Sequence, residues 1–257
     1  MEKQVVISVF KEPISWISKF DLDTIIYDKG YNAESNTSRF RIDFSQNWKP
    51  SVTEVFDLVT RENFIRSRIK RSNVEIFHLI NDPIGREAYT YLYHIVKNYK
   101  CLAEITFFLQ GNPFIHSPDI LDFINCNYAE PTTLTSHYKE NHGQEHEDMC
   151  VTLEKCKKQV KYGVGAYHPA FGRLPGAWHE IFPTTPLPNP FYYGYAAMWA
   201  VPGSFIRKRS QAFYERLLNI VSRIDGWVFE LLWNYIFQDP VRYPDFTQPL
   251  RTKWPIF

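Results

Sequence analysis

The chain has 257 residues, 44% hydrophobic and 22% charged, enough apolar side chain to bury a sizeable core and too much for a disordered polymer. A net charge of +1 supplies no global field toward nucleic acid or anionic lipid, so its arginines and lysines act locally. Cys101, Cys126, Cys150 and Cys156 are too few and too scattered for a disulfide scaffold or a zinc site, which fits a reducing compartment.

Val5–Phe10 is rich in β-branched residues and predicts a strand over Gln4–Phe10. No signal-peptide or transit pattern precedes it, and no apolar stretch reaches the ~18 residues of a membrane span. The expectation is a cytoplasmic protein. Lys11-Glu12-Pro13 breaks the strand, and Ile14, Ile17 and Phe20 continue at helical spacing. Thr24–Tyr27 predicts a second strand, ended by Asp28-Lys29-Gly30, in a compact right-handed crossover. Asn32–Ser38 is a polar loop and Phe40–Lys49 has no clear period. Glu54–Lys70 predicts a helix, with Arg66, Arg68, Lys70 and Arg71 as its solvated end.

The clearest stretch is Val74–His116. A strand over Val74–Ile80 leads into the turn Asn81–Glu87, then a helix over Ala88–Tyr99 with Ala88, Leu92, Ile95, Val96 and Tyr99 on one face. A strand over Glu104–Leu109 stops at Gln110-Gly111-Asn112-Pro113. In a parallel α/β sheet, ligands lie just beyond the C-terminal strand ends, and both polar clusters fall there. Pro118–Phe123 predicts a short helix, Lys139–Glu147 is polar and exposed, and Thr184–Pro190 is proline-dense. The middle therefore reads as a long insertion lying over one face of the sheet as a lid. Tyr195–Val201 predicts a strand turned by Pro202-Gly203, followed by helices over Ala212–Ile224 and Trp227–Phe237. The fold class is α/β, a single mostly parallel sheet flanked by helices.

Glu230 is the only ionisable carboxyl in Trp227–Phe237, a helix apolar on nearly every side. A carboxylate there is either ion-paired, with Arg216 or Arg223, or a general base facing a cleft. Gly85-Arg86-Glu87 precedes a helix whose first amides suit an anion, with Arg86 as phosphate ligand and Glu87 as an ordinary first-turn charge. Asp28 ends a strand where nucleotide folds hold a ribose or base edge, or is simply a turn aspartate. Gln110, Asn112 and His116 lie beyond a strand end, within reach of a sugar or diphosphate, or merely shape the loop. His142–Asp148 lacks the spacing of a His-Glu-x-x-His zinc site, and no metal is expected there. Phosphate-loop, dinucleotide, serine-hydrolase and cysteine-protease signatures are absent.

Three segments carry a family resemblance: Ile14-Ser15-Trp16 with Tyr27–Gly30, Gly85–Tyr99 with Thr106–His116, and Ala197–Val201 with Phe213–Leu217 and Glu230–Phe237. Together they resemble the family catalogued as domain of unknown function 3431, itself similar to glycosyltransferases of the A-type fold. The resemblance implies one domain over 1–257, with a nucleotide-binding half (1–116) and an acceptor-binding half (117–257). It implies that Phe10, Lys11, Glu12, Asp28 and Lys29 flank the nucleotide, and that Arg86, Gln110, Gly111, Asn112 and His116 meet the nucleotide-sugar. Gln110-Gly111-Asn112 stands where such enzymes carry an Asp-x-Asp metal motif. The motif is missing, which implies a metal-independent enzyme with no cofactor, in which Lys11, Arg86, Arg207 and Arg209 neutralise the diphosphate. Glu230 falls on the helix that carries the base, with Asp225 as its substitute. Trp178, His179, Tyr192 and Tyr193 line the acceptor site by ring stacking, or pack in the core. The expected function is inverting transfer of a sugar, most commonly from a UDP-sugar, to a glycan hydroxyl. The rivals are a non-catalytic nucleotide- or carbohydrate-binding protein on the same fold, and a hydrolase or phosphotransferase using His142–Asp148.

Overall fold

A computed structural model describes residues 2–9, 12, 14–29, 31–32, 37–41, 53–57, 73–79, 85–134, 150–151, 170–188, 191–193, 195–221, 223–224 and 226–238. The run Val5–Val9 is buried without a break, so this strand needs neighbours on both edges and a layer on both faces. The strands in chain order are β1 (Lys3–Val9), β2 (Asp23–Asp28), β3 (Tyr31–Asn32), β4 (Thr37–Arg41), β5 (Thr53–Asp57), β6 (Val74–His78), β7 (Ile105–Gln110), β8 (Thr132–Thr133), β9 (Cys150–Val151), β10 (Phe191–Tyr192) and β11 (Trp199–Pro202). The helices are α1 (Arg86–Asn98), α2 (Ile120–Asn125), α3 (Leu174–Ile181), α4 (Gly203–Ile206), α5 (Gln211–Val221) and α6 (Gly226–Phe237).

Six strands form the main sheet in the order β6-β2-β1-β7-β11-β8. The first four run parallel. β11 is antiparallel to both its neighbours, so the sheet is mixed. The reversal follows from chain direction, because β11 enters beside the C-terminal half of β7, pairing Trp199 with Phe108, and runs back to pair Pro202 with Ile105. Two smaller sheets, β9–β10 and β3–β4–β5, accompany the main one. From β1 the chain builds outward through β2 to β6, then returns over α1 to β7 on the opposite edge of β1. By the general rule for such sheets, that change of direction puts the ligand crevice beyond the C-terminal ends of β1 and β7.

Alternation along the strands separates two apolar layers. Val5, Ile7 and Val9 face the short 3-10 helix Ser15–Lys19 and α2, where Trp16, Ile17 and Ile120 are buried. Val6 and Phe108 face α1, α3, α5 and α6. Ser8, the one polar residue in its run, shares a 2.9 Å hydrogen bond with Thr90 and so fixes α1 over β1.

Some elements differ from expectation. The predicted helix over Glu54–Lys70 begins as strand, because Thr53–Asp57 forms a ladder with Thr37–Arg41 that outweighs a weak helical pattern. Residues 58–70 lie outside the described ones. Tyr195–Ala197 is a kinked 3-10 turn, and the strand starts only at Trp199. In the middle segment, α3 is part of the core beside α6, because its buried residues include Leu174, Ala177, Trp178 and Ile181. It is not a lid.

Helix α6 is anchored at both ends. Arg209 donates from Nε to the Ile236 carbonyl and from Nη2 to the Tyr235 carbonyl, both at 3.0 Å, capping the C-terminus. At the N-terminus a Cβ on Gly226 would lie 2.5 Å from the Gly85 carbonyl oxygen and 2.8 Å from its carbon. The starts of α1 and α6 therefore touch through backbone. Helix propensity alone favours Gly226→Ala by ~1 kcal/mol, but this contact reverses the sign. Gly226→Ala is expected to destabilise the protein by about 1–3 kcal/mol, read as a lower urea midpoint with an unchanged slope.

Candidate functional site

Gln110 ends β7 opposite Ser8 of β1, at the mouth of the crevice. Its Nε2 donates to Glu87 Oε1 at 3.2 Å and to the Ala196 carbonyl at 2.8 Å. Glu87 lies in the first turn of α1, its Oε2 3.6 Å from Arg86 Nε. The Ala196 N–H donates to Glu230 Oε1 at 2.5 Å. A polar chain thus runs from Arg86 through Glu87, Gln110 and Ala196 to Glu230, linking α1, β7, the 195–197 turn and α6.

Among the described residues, the non-glycine residues with positive φ cluster on this chain of contacts. Arg86 has φ 49°, Ala196 67° and Ala197 50°. A left-handed L-residue costs roughly 1–2 kcal/mol. Such strain survives where the surroundings over-determine the backbone, often at ligand sites.

The field of Glu230 reaches several neighbours. Burial raises the Glu87 carboxyl above its ordinary 4.5; Arg86 opposes the rise and the Glu230 charge adds to it. Burial lowers the His116 imidazole, and Glu230 pulls it back up. Tyr91, one turn after Glu87, is raised well above the ordinary phenol range by burial, then by the charges of Glu87, Glu230 and Glu12. Its buried hydroxyl has no hydrogen-bond partner among the described residues.

Cations border the carboxylates. The Arg86 guanidinium lies 4.8 Å from the centre of the Trp227 ring, a cation–π contact, and its side chain is 45% exposed. Lys29 Nζ donates to the Arg86 carbonyl. Glu12 sits against Gly111, where a Cβ would lie 2.7 Å from Glu12 Oε2, so the loops after β1 and β7 meet at a residue without a side chain. Trp16 Nε1 holds the Gly111 carbonyl at 2.9 Å. Asp28 is fully buried at the end of β2, on the same edge of the sheet. Asn112 precedes the 3-10 turn Pro113–Ile115, and His116 follows it.

The structure therefore gathers Glu12, Lys29, Arg86, Gln110, Gly111, His116 and Glu230. Arg207 and Arg209 are not among them. They follow β11, whose last residue pairs with Ile105 at the start of β7, the opposite end of the sheet, and Arg209 is engaged in capping α6. Trp178 and Tyr193 are core residues. Trp178 donates to the Thr185 carbonyl at 2.7 Å and meets Tyr235 edge-on, and Tyr193 meets Phe171 edge-on. Burying these large rings satisfies the core before any acceptor. His179 is exposed on α3, and Tyr192 lies in β10 by its backbone. Phe10, Lys11, Asp225 and the His142–Asp148 cluster lie outside the described residues. Arg216 binds the Glu180 and Ile181 carbonyls, and Arg223 pairs with the Glu180 carboxylate at 2.9 Å. Those contacts occupy both guanidiniums suggested as ion-pair partners of Glu230. Among the described residues no group of three or more His, Cys, Asp or Glu is arranged to hold a metal ion.

Glu87 and Tyr91 were not among the predicted site residues. Their i, i+4 spacing, one turn apart on the sheet-facing side of a helix, is the signal in the sequence that marks them.

The family described as "Protein of unknown function (DUF3431)" matches residues 69–250. The chain belongs to that family. The match takes in Arg86, Glu87, Gln110, Ala196 and Glu230, while β1 and β2, with Glu12, Asp28 and Lys29, precede it. None of the curated proteins and none of the solved structures compared matches the chain.

A carboxyl that holds its proton more tightly folded than unfolded favours folding below its unfolded pKa and loses that advantage as pH rises through the folded value. Glu87 should therefore lower stability as pH climbs from 4.5. His116 and His94, the latter pushed down to about 3 by burial, act in the opposite sense, losing stability as pH falls below 6.5. Glu87→Gln isolates the first contribution. Stability measured by urea unfolding from pH 4 to pH 8 is expected to fall less steeply with rising pH in the variant, and parallel curves would exclude a proton on Glu87.

Proposed function

We propose that the protein is an inverting glycosyltransferase that moves a sugar from a nucleotide-sugar to a glycan hydroxyl, with Glu230 as general base. The observation carrying this reading is Glu230 itself: a half-buried carboxylate on a helix buried everywhere else except at Trp227, joined to the chain of polar groups at the crevice. The order β6-β2-β1-β7 supports it, since a sheet whose strand order reverses between its first and fourth strands receives nucleotides at that junction. The A-type glycosyltransferase resemblance belongs to the same proposal.

In the reaction, the acceptor oxygen attacks the anomeric carbon while Glu230 removes the hydroxyl proton. The bond from that carbon to the diphosphate oxygen breaks on the opposite face, inverting the centre. Arg86 and Lys29 offset the charge on the departing diphosphate, helped by the first amides of α1, which Gly85 leaves without a side-chain cap. Gln110-Gly111-Asn112 carries no carboxylate, so the proposal needs no metal at that place. The same absence favours the second reading, a binding protein that holds a nucleotide or glycan without turnover.

Glu230→Gln separates the two. Thermal-shift titration with UDP, GDP, TDP and CMP identifies the nucleotide, and ~2.7 kcal/mol of stabilisation is expected at a hundredfold excess over Kd. The variant should keep that response while transfer falls by about 10²–10⁴-fold. Chelator should leave wild-type transfer intact. A wild-type chain that binds nucleotide but transfers nothing supports the binding protein, and no response to any nucleotide sinks the transferase and leaves only a glycan-binding protein.

A further inference from the structure

We propose that Gln110 is a positioning residue for Glu230: by holding the Ala196 carbonyl, it keeps the Ala196 N–H aimed at the Glu230 carboxylate. The proposal rests on the reading of Glu230 as base, and its geometry can be tested apart from turnover.

Two acceptors, Glu87 Oε1 and the Ala196 carbonyl, converge on one NH2 group. A neutral side chain with two N–H bonds on one atom serves both. A carboxylate of the same length would confront two acceptors with a third and leave each without a donor. That accounts for an amide at the end of β7, and it gives Gln110 work other than touching a ligand. A ligand contact from its NH2 would have to displace one of these hydrogen bonds.

The coupling to Glu230 passes through strained backbone. Ala196 and Ala197 are both left-handed, a conformation that relaxes to negative φ unless both sides of the turn are held. Gln110 holds the carbonyl of Ala196 and Glu230 holds its N–H. Beyond the turn, Met198–Val201 are fully buried and Trp199–Val201 are paired in the sheet, so relaxation is confined to the turn. The carbonyl and the N–H lie in successive peptide planes joined at the Ala196 Cα, so releasing the carbonyl lets φ and ψ there relax, and the plane that carries the N–H turns away from Glu230. The carboxylate then loses its hydrogen bond from the turn, one of the contacts that orient it. Gln110 therefore acts on the base without touching the reacting atoms.

The test uses the full chain labelled with ¹⁵N-alanine. In the wild type, the Ala196 amide should resonate downfield and exchange slowly with solvent. Glu230→Gln should move it upfield. Gln110→Met, of similar length but with no donor, should move the same resonance toward its random-coil position and abolish its protection. Gln110→Glu should do likewise at neutral pH and recover as the pH is lowered, when the introduced carboxyl gains a proton to donate. With UDP release from a panel of UDP-hexoses as the activity readout, Gln110→Met should lower kcat about a hundredfold and leave the donor KM and UDP binding unchanged. An Ala196 resonance indifferent to Gln110→Met overturns the proposal. A raised donor KM with an unmoved resonance overturns it too, and makes Gln110 a ligand contact. Should Gln110→Met fail to fold, a ¹⁵N-glutamine-labelled wild type decides, because free solvent exchange of the Gln110 side-chain NH2 also overturns the proposal. If the wild type turns over no UDP-hexose, the base reading fails for those donors, while the resonances still decide the positioning.

Discussion

A helix with apolar side chains on nearly every face has to be enclosed, and the enclosure of Gly226–Phe237 determines where its single carboxylate emerges. α6 lies among α1, α3 and the sheet, with Trp233, Tyr235 and Phe237 fully buried. Its N-terminus abuts Gly85 backbone to backbone, and its C-terminus is closed by Arg209. With both ends held, Glu230 can only project toward the end of β7. There it meets the strained turn at Ala196, which is tied in turn to Gln110.

The electrostatics of the crevice are uneven. The Glu230 charge adds to the rise that burial imposes on Glu87, and the phenol of Tyr91 feels both carboxylates, with Glu12 beyond. Arg86 and Lys29 stand against them at the mouth, the former over Trp227 and the latter bound to the Arg86 carbonyl. Cations at the rim suit an anionic leaving group. The same arrangement explains why Arg86 adopts a positive φ. It must begin a helix, clear Gly226 and turn its carbonyl toward Lys29 in one residue.

Much of the architecture was legible from periodicity. The parallel strands, α1 and the two C-terminal helices appear where alternating or 3.6-residue apolar patterns put them, to within a few residues, because those patterns report which face is buried. The short ladders at Thr37–Arg41 and Thr53–Asp57 were not legible, since strands stabilised by pairing with one another need no apolar alternation. The site was read in part. Lone polar residues beyond strand ends pointed to Gln110 and Arg86, but Arg207, Arg209, Trp178 and Tyr193 carried the same chemical credentials and turned out to cap a helix, follow β11 at the far end of the sheet, or fill the core.

By itself, the sequence determined the α/β class, the parallel run at the start of the sheet, the family, and the isolation of Glu230 in an apolar helix. These are properties of local order and composition, which a linear string records directly. Only the tertiary structure decided that β11 runs backward, that Arg216 and Arg223 serve Glu180 and Ile181, and that Glu87, Gln110 and Ala196 join Glu230 in one chain. Those residues are separated by up to 86 positions between hydrogen-bonded partners, and which donor meets which acceptor depends on how helices and sheet stack. No periodicity encodes that.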